Sequence, residues 1–236
     1  MRALITGANG KLGSELKKYF NDSYCPDEEK MDITNPKSVS ASFEAFKPEL
    51  VIHCAALTNV SFCEKNPFEA YYTNTIGTFI LADACDAYGI KMVYISTDHV
   101  FDGSKGDYKE WNLPNPRGHY AKSKLAGEWM VLANPDNLVI RTSFMRDFLF
   151  EKAYTDKYFS GEVVGTIARW INQAIAREAT GLYHIAGEKK SIYDLAKTLK
   201  PTVKPMLRKD RPKNDIGLRY LKDTSLDVSK WKKFSS

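Results

Sequence analysis

Tyr120 and Lys124 stand four residues apart in the run Tyr-Ala-Lys-Ser-Lys, a spacing that puts both on one face of a helix, one turn apart. A free tyrosine titrates near ~10, too high for efficient proton exchange at neutral pH. A neighbouring ammonium favours the phenolate and lowers that value, so the pair is a candidate for acid–base chemistry. By itself it could equally belong to an amphipathic surface helix. Thr97 gives it a companion. It ends the apolar run 91–96, where its hydroxyl can turn into a crevice and hydrogen-bond a substrate carbonyl.

A second group lies near the N-terminus. Thr6-Gly7-Ala8-Asn9-Gly10-Lys11-Leu12-Gly13 joins a predicted strand to a predicted helix. Gly7 suits a tight turn, Gly10 close approach to a pyrophosphate, and Gly13 close packing of helix on strand. The helix N-terminus adds free N–H groups and partial positive charge. Strand, loop and helix in this order predict dinucleotide binding. A cationic nicotinamide would favour the Tyr120 phenolate just as Lys124 does. The acidic residue that commonly meets the adenosine ribose is Asp27 or Glu28, which would favour NAD; Lys11 or Lys30 would instead favour a 2′-phosphate. Asp32-Ile33 reads as the end of a third strand that meets the adenine, or as a turn that starts the helix after it.

These groups need a scaffold. Strands are predicted at 2–6, 50–55, 91–96, 137–142 and 181–185, with a short one at 23–26. Helices are predicted at 11–20, 36–46 (Asn35 as N-cap, Pro36 at its first position), 67–88 (closed by Gly89), 120–132, 167–177 and 191–199, the last capped by Ser191. Such alternation predicts an α/β, Rossmann-like, doubly wound parallel sheet covered on both faces. Its ligand would lie beyond the strand carboxyl ends, in the loops after the strands at 2–6, 91–96, 137–142 and 181–185. Residues 144–161 are aromatic and charged without clean periodicity. Residues 200–213 carry six Lys or Arg and three prolines and read as extended, either a solvated segment or a lip that meets an anionic substrate.

Composition excludes several classes. The 236 residues are 43% hydrophobic and 27% charged, with a net charge of +5, ordinary for a soluble globular domain. Cys25, Cys54, Cys63 and Cys85 have no C-x-x-C spacing, so they read as reduced, mostly packed thiols rather than zinc ligands or disulfides. No metal site is expected. Met1-Arg2 runs directly into the first strand without a signal-peptide pattern, and no apolar run approaches the ~20 residues that span a membrane; a cytoplasmic protein is predicted. The basic residues lack the interleaved aromatics of a nucleic-acid reader. His53, His184, Trp111 and Trp129 read as packing residues, whereas His99 and His119 fall near the predicted site.

The combination of the glycine loop, 53–58, Tyr72-Thr-Asn74, Ser96-Thr-Asp-His-Val-Phe-Asp-Gly103, Tyr120–Lys124 and Ile140-Arg-Thr-Ser143 resembles the extended short-chain dehydrogenase/reductase family. Within it, 96–103 and the late Arg211-Pro-Lys-Asn…Leu226-Asp are similar to the dTDP-4-dehydrorhamnose reductase branch. The resemblance implies a nucleotide-binding core over 1–143 and a small C-terminal substrate-binding portion over 144–236, with 162–187 returning to the core. It implies NADPH- or NADH-dependent reduction of the C4 ketone of a nucleotide-linked 4-keto-6-deoxy sugar, with Thr97, Tyr120 and Lys124 catalytic. Thr97 would orient the ketone, Tyr120 protonate it, and Lys124 hold the nicotinamide ribose. Gly7, Gly10, Lys11, Leu12, Gly13, Asp32, Ile33, Ala55, Ala56 and Leu57 would hold the cofactor. Asp98 and Phe144 would join Thr97 at the substrate, and Asn74 would bond backbone or water behind the site.

This sequence departs from the family in the short stretch 144–164 and the abbreviated second strand. A smaller, reshaped or partner-completed sugar pocket is expected, in a monomer or homodimer. The alternatives are an epimerase or dehydratase that recycles its cofactor, and a non-catalytic NAD(P)-binding regulatory subunit like the β subunits of methionine adenosyltransferase, which resemble the same reductases.

Overall fold

Residues 1–210 and 221–235 are described by a computed structural model; Arg211–Asn214 and Lys213 of the motifs above lie outside the described residues. In chain order the first half carries β1 (Ala3–Thr6), α1 (Lys11–Leu16), β2 (Ser23–Tyr24), α2 (Pro36–Phe46), β3 (Leu50–His53), α3 (Val60–Lys65), α4 (Pro67–Tyr71), α5 (Thr78–Ala87) and β4 (Lys91–Thr97). Next come α6 (His119–Leu132), β5 (Leu138–Thr142), β6 (Phe144–Met145), β7 (Lys152–Tyr154), β8 (Tyr158–Phe159), β9 (Glu162–Val163), α7 (Val164–Ala176) and β10 (Gly181–His184). Then β11 (Lys190–Ser191), α8 (Ile192–Leu199), β12 (Lys204–Met206) and α9 (Ser229–Ser235) close the chain.

Six parallel strands form the central sheet in the order β2-β1-β3-β4-β5-β10. Side chains alternate across a strand, and both faces are apolar. Ala3, Ile5, Val93, Ile95, Leu138 and Ile140 meet α1 and α7 on one face. Leu4, Val51, Met92, Tyr94 and Val139 meet α2, α5 and α6 on the other. The chain runs from β1 to β2 on one side and then crosses to β3 on the other, so the strand order reverses at β1/β3. Ligands bind at such a reversal.

Local signals act where expected. The Asn35 side chain caps α2 and Pro36 occupies its first turn. Ser191 and Asp194 form a reciprocal capping box on α8. Gly89 ends α5 at φ +65°, and the Ile90 N–H returns to the Cys85 carbonyl at 2.8 Å, satisfying a terminal carbonyl. Among its described residues the C-terminal portion adds three two-stranded pieces, β6 with β9, β7 with β12 and β8 with β11.

Several expectations are corrected. Asp32-Ile33 is no strand end: the Asp32 carboxylate accepts from the Thr34 N–H and hydroxyl at 2.8 and 2.7 Å, folding a turn ahead of α2. The helix over 11–20 tightens into a 3-10 turn after Leu16. The helix over 67–88 is broken by a π-helical turn, Tyr72–Gly77, where the Thr78 hydroxyl donates to the Asn74 carbonyl at 2.7 Å. Trp111 and Trp129 are not buried as packing residues would be; they are 73% and 62% exposed. Among the described residues no helix is long and apolar enough to cross a membrane.

Candidate active site

The loops at the carboxyl ends of β1 to β5 surround a cleft of about 890 Å³, within the range of small-molecule sites. The loop after β10, expected to contribute, does not line it; those after β2 and β3 do. From the C-terminal portion Lys157, Phe159, Ile192 and Thr224 also line it.

The glycine loop fits a diphosphate by what it excludes. Gly7 sits at φ +67°, and a Cβ there would lie 2.6 Å from the Ala55 nitrogen, so only glycine allows the β1 and β3 loops to meet. A Cβ on Gly13 would strike the backbone of Gly7 and Ala8, which lets α1 begin directly beneath the turn. Around Gly10 the nearest atom is the Gly7 carbonyl, leaving its other side open to the cleft. A dinucleotide therefore fits these residues. Lys11, Leu12, Asp32, Ile33, Ala55, Ala56 and Leu57 also line the cleft.

Behind this loop, His53 is fully buried between two threonines. Its Nδ1 faces the Thr6 hydroxyl at 2.7 Å and its Nε2 the Thr78 hydroxyl at 3.0 Å. Burial holds its pKa down at about 3, so it is neutral and structural. Asn74 spans the site from beneath. Its carbonyl oxygen accepts from the Leu57 N–H at 2.8 Å, and its amide donates to the Leu57 carbonyl and the Ser123 hydroxyl, both at 3.0 Å. The π-turn thereby ties the β3 loop to α6.

Thr97, Asp98, His99, Tyr120 and Lys124 all line the cleft. The His99 N–H donates to the Thr97 hydroxyl oxygen at 3.2 Å, while the Thr97 hydrogen is directed to Asp98. Although the Tyr120 ring is partly exposed, its hydroxyl is desolvated. Burial pushes it up to about 12, and the Thr97 hydroxyl beside it pulls the other way. The expectation that Lys124 lowers this value is corrected. The Lys124 ammonium lies over the Tyr94 ring, 4.0 Å from its centroid, and is itself pushed down to about 7 by burial, against the opposing pull of Cys54 and Glu128. Tyr120 thus keeps its proton at neutral pH.

Asp98 is already engaged: the Thr224 hydroxyl donates to its Oδ2 at 2.6 Å, and the Thr97 hydroxyl donates to its Oδ1 at 3.3 Å. Phe144 is half-buried in the cleft wall. His99 reaches the cleft, whereas His119 packs edge-on to Tyr71 and stays outside it. Sequence reasoning missed Thr224 and the network behind Thr97. There the Ser96 hydroxyl donates to Glu128 Oε1 at 2.5 Å, and Arg141 grips both Glu128 oxygens at 2.7–3.2 Å. The available signal for Glu128 was its place one turn beyond Lys124 on the same helix face.

A phosphate turn at the strand-order reversal, with a desolvated Tyr and Lys one helical turn apart, places this protein among the NAD(P)-dependent oxidoreductases of the short-chain dehydrogenase/reductase class. Comparison narrows the class. Residues 1–151 match the profile of the RmlD substrate binding domain, and the chain belongs to that family. It is 33% identical over 225 residues to a dTDP-4-dehydrorhamnose reductase of Aggregatibacter actinomycetemcomitans, covering 83% of this chain and 76% of that protein. It is 35% identical over 150 residues to methionine adenosyltransferase 2 subunit beta of Xenopus tropicalis, covering 59% of this chain and 45% of that protein. The crystal structure of a Bacillus anthracis dTDP-4-dehydrorhamnose reductase in complex with NADP superposes with a TM-score of 0.87 at 29% identity, covering 98% of this chain and 92% of that one.

Proposed function

We propose that this protein reduces the C4 ketone of a nucleotide-linked 4-keto-6-deoxy sugar, using NADH or NADPH. The observation that carries the reading is the joint presence of Thr97, Tyr120 and Lys124 in the cleft that the glycine loop opens into. When bound, the reduced nicotinamide supplies a hydride to the ketone carbon. The Thr97 hydroxyl turns its hydrogen from Asp98 Oδ1 to the ketone oxygen, and Tyr120 gives its proton to that oxygen as negative charge develops there. Lys124, with its ammonium held near neutrality, holds the nicotinamide ribose and can return a proton to the phenolate left on Tyr120. Asp98 and Thr224 orient Thr97 and the sugar, and Phe144 contacts the sugar face. The core over 1–143, rejoined by 162–187, would carry the cofactor, and the rest of 144–236 the substrate. Four free cysteines, two of them buried, fit a reducing compartment such as the cytoplasm.

The test is to mix the purified protein with a dTDP-4-keto-6-deoxy sugar and each reduced cofactor, following nicotinamide absorbance. Oxidation of the cofactor with formation of the reduced sugar is expected. Sugar conversion without net cofactor consumption would instead identify a recycling epimerase or dehydratase. The likeness to the methionine adenosyltransferase subunit supports a regulatory reading, which cofactor binding without any turnover would favour.

A further inference from the structure

We infer that Tyr94 is a positioning residue for the reaction: its buried ring seats the Lys124 ammonium through a cation–π contact and fixes where that ammonium stands beside Tyr120 and the cofactor. The inference rests on the reductase reading above and deepens it. Tyr94 lies within β4, is 0% exposed and does not line the cleft, so it acts through Lys124 rather than on a ligand. Its ring centroid is 4.0 Å from the Lys124 Nζ, well inside the roughly 6 Å over which a ring face attracts a cation. A second contact reinforces the first. The Tyr94 hydroxyl donates to the Lys124 carbonyl at 3.2 Å, so one side chain holds the lysine by its backbone and by its ammonium. Gly127, within α6, makes the room: a Cβ there would lie 2.5 Å from the Tyr94 hydroxyl oxygen. Glycine inside a helix is unfavourable, and here it lets α6 close on the ring.

A dry site favours the neutral amine over the ammonium. The titratable and charged groups around Lys124 are Cys54 from the loop after β3, Glu128 one turn further along α6 and Tyr120 one turn back. His53 joins them through its ring, which packs tilted against Tyr94 at 5.5 Å. Cys54 keeps its proton, its thiol pushed up to about 12 by burial. Glu128 pulls in the ammonium's favour, but its carboxylate is already matched by the Arg141 guanidinium and the Ser96 hydroxyl. Tyr120 and His53 are neutral. The negative face of the Tyr94 ring is thus placed to stabilise the charged form, and a cation–π contact gains strength where water is excluded. The ammonium is the form that can donate to the nicotinamide ribose and return a proton to Tyr120.

The experiment compares Tyr94→Phe, Tyr94→Leu and a series with increasingly fluorinated phenylalanine at position 94, in the whole chain, each with and without Lys124→Met. Ring fluorines keep the shape nearly constant while weakening the negative face of the ring, so the series decides even if Tyr94→Leu does not fold. Urea unfolding across pH, taken as the difference between each variant and its Lys124→Met partner, reads the contribution of Lys124 alone. A lysine with lowered proton affinity adds stability as pH rises, here from an onset near pH 7 in the parent protein. Tyr94→Phe should leave that onset in place, fluorination should lower it step by step, and Tyr94→Leu should lower it by about 1–1.5 pH units. The pH at which kcat/KM for ketone reduction falls should move down in the same order. A merely structural Tyr94 would lower stability without moving either onset. Onsets unmoved through the fluorinated series overturn the inference, as does Tyr94→Phe shifting them as far as Tyr94→Leu. A moving unfolding onset without sugar reduction by the parent protein would overturn the reductase reading and leave the Tyr94–Lys124 contact standing.

Discussion

Replacing Glu128 by Gln should destabilise this protein strongly. Glu128 and Arg141 are 1% and 3% exposed, and Arg141 donates to both carboxylate oxygens through Nε and Nη2 while Ser96 donates to one of them. Gln keeps the shape, but one oxygen becomes an NH2 that faces donors, and the guanidinium loses its counter-charge. Breaking a buried pair from one side costs about 3–5 kcal/mol, out of roughly 5–15 kcal/mol for a whole domain. At about 2–4 °C per kcal/mol for a chain of this size, Tm should fall by roughly 6–20 °C. Urea unfolding of the single variants and of Glu128→Leu/Arg141→Met provides the assay. The double variant should lose much less than the sum of the singles, because it leaves no buried charge unpaired. A loss below about 1 kcal/mol for Glu128→Gln, the value of an exposed pair, or strictly additive losses, would refute this account of the network.

Further outcomes test the rest of the site. Tyr120→Phe should lower turnover by about 10²–10⁴-fold and leave NADH affinity nearly unchanged, read by steady-state rates beside a binding titration. Gly13→Ala should weaken cofactor binding and lower stability by about 1–3 kcal/mol, since its Cβ meets the backbone of Gly7 and Ala8; thermal unfolding with and without cofactor checks it. Lys124 titrates at about 7 when folded and near 10.5 when unfolded, so the unfolded state binds more protons between those values and stability from this group rises with pH. Between pH 7 and 9 the gain should approach about 1.4 kcal/mol per unit, and Lys124→Met should remove it. His53 and His184, held at about 3 by burial, act at the acid end. The unfolded state binds their protons first, so stability should fall as pH drops below about 6.5, as urea midpoints at pH 7 and pH 5 would reveal.

The central sheet was legible because its signals are local. Runs such as Leu50–His53 and Leu138–Thr142 are apolar on both faces, as a doubly covered parallel strand must be, and Asn35, Gly89 and Ser191 cap helices through their own neighbours. Asp32-Ile33 stayed open between strand end and helix-starting turn because a side chain that hydrogen-bonds nearby backbone competes with strand pairing, and only the folded chain decides for the turn. The π-turn at Tyr72–Gly77 was invisible for a related reason: its extra residue answers to Leu57 and Ser123, which are distant in sequence. Trp111 and Trp129 misled because hydrophobicity alone does not specify burial.

For the site, the residue order Gly7–Gly13, Thr97, Tyr120 and Lys124 was enough to expect them in one cleft, because parallel strands deliver the ends of successive loops to one edge. What the order could not supply was the state of those groups. The tertiary structure alone turns Lys124 toward Tyr94, Cys54 and Glu128, desolvates Tyr120 and keeps it protonated, and brings Thr224 to Asp98 across 126 positions of sequence. Proton affinities depend on which atoms share a dry space, and that is set by packing between segments that carry no mark of one another in the chain.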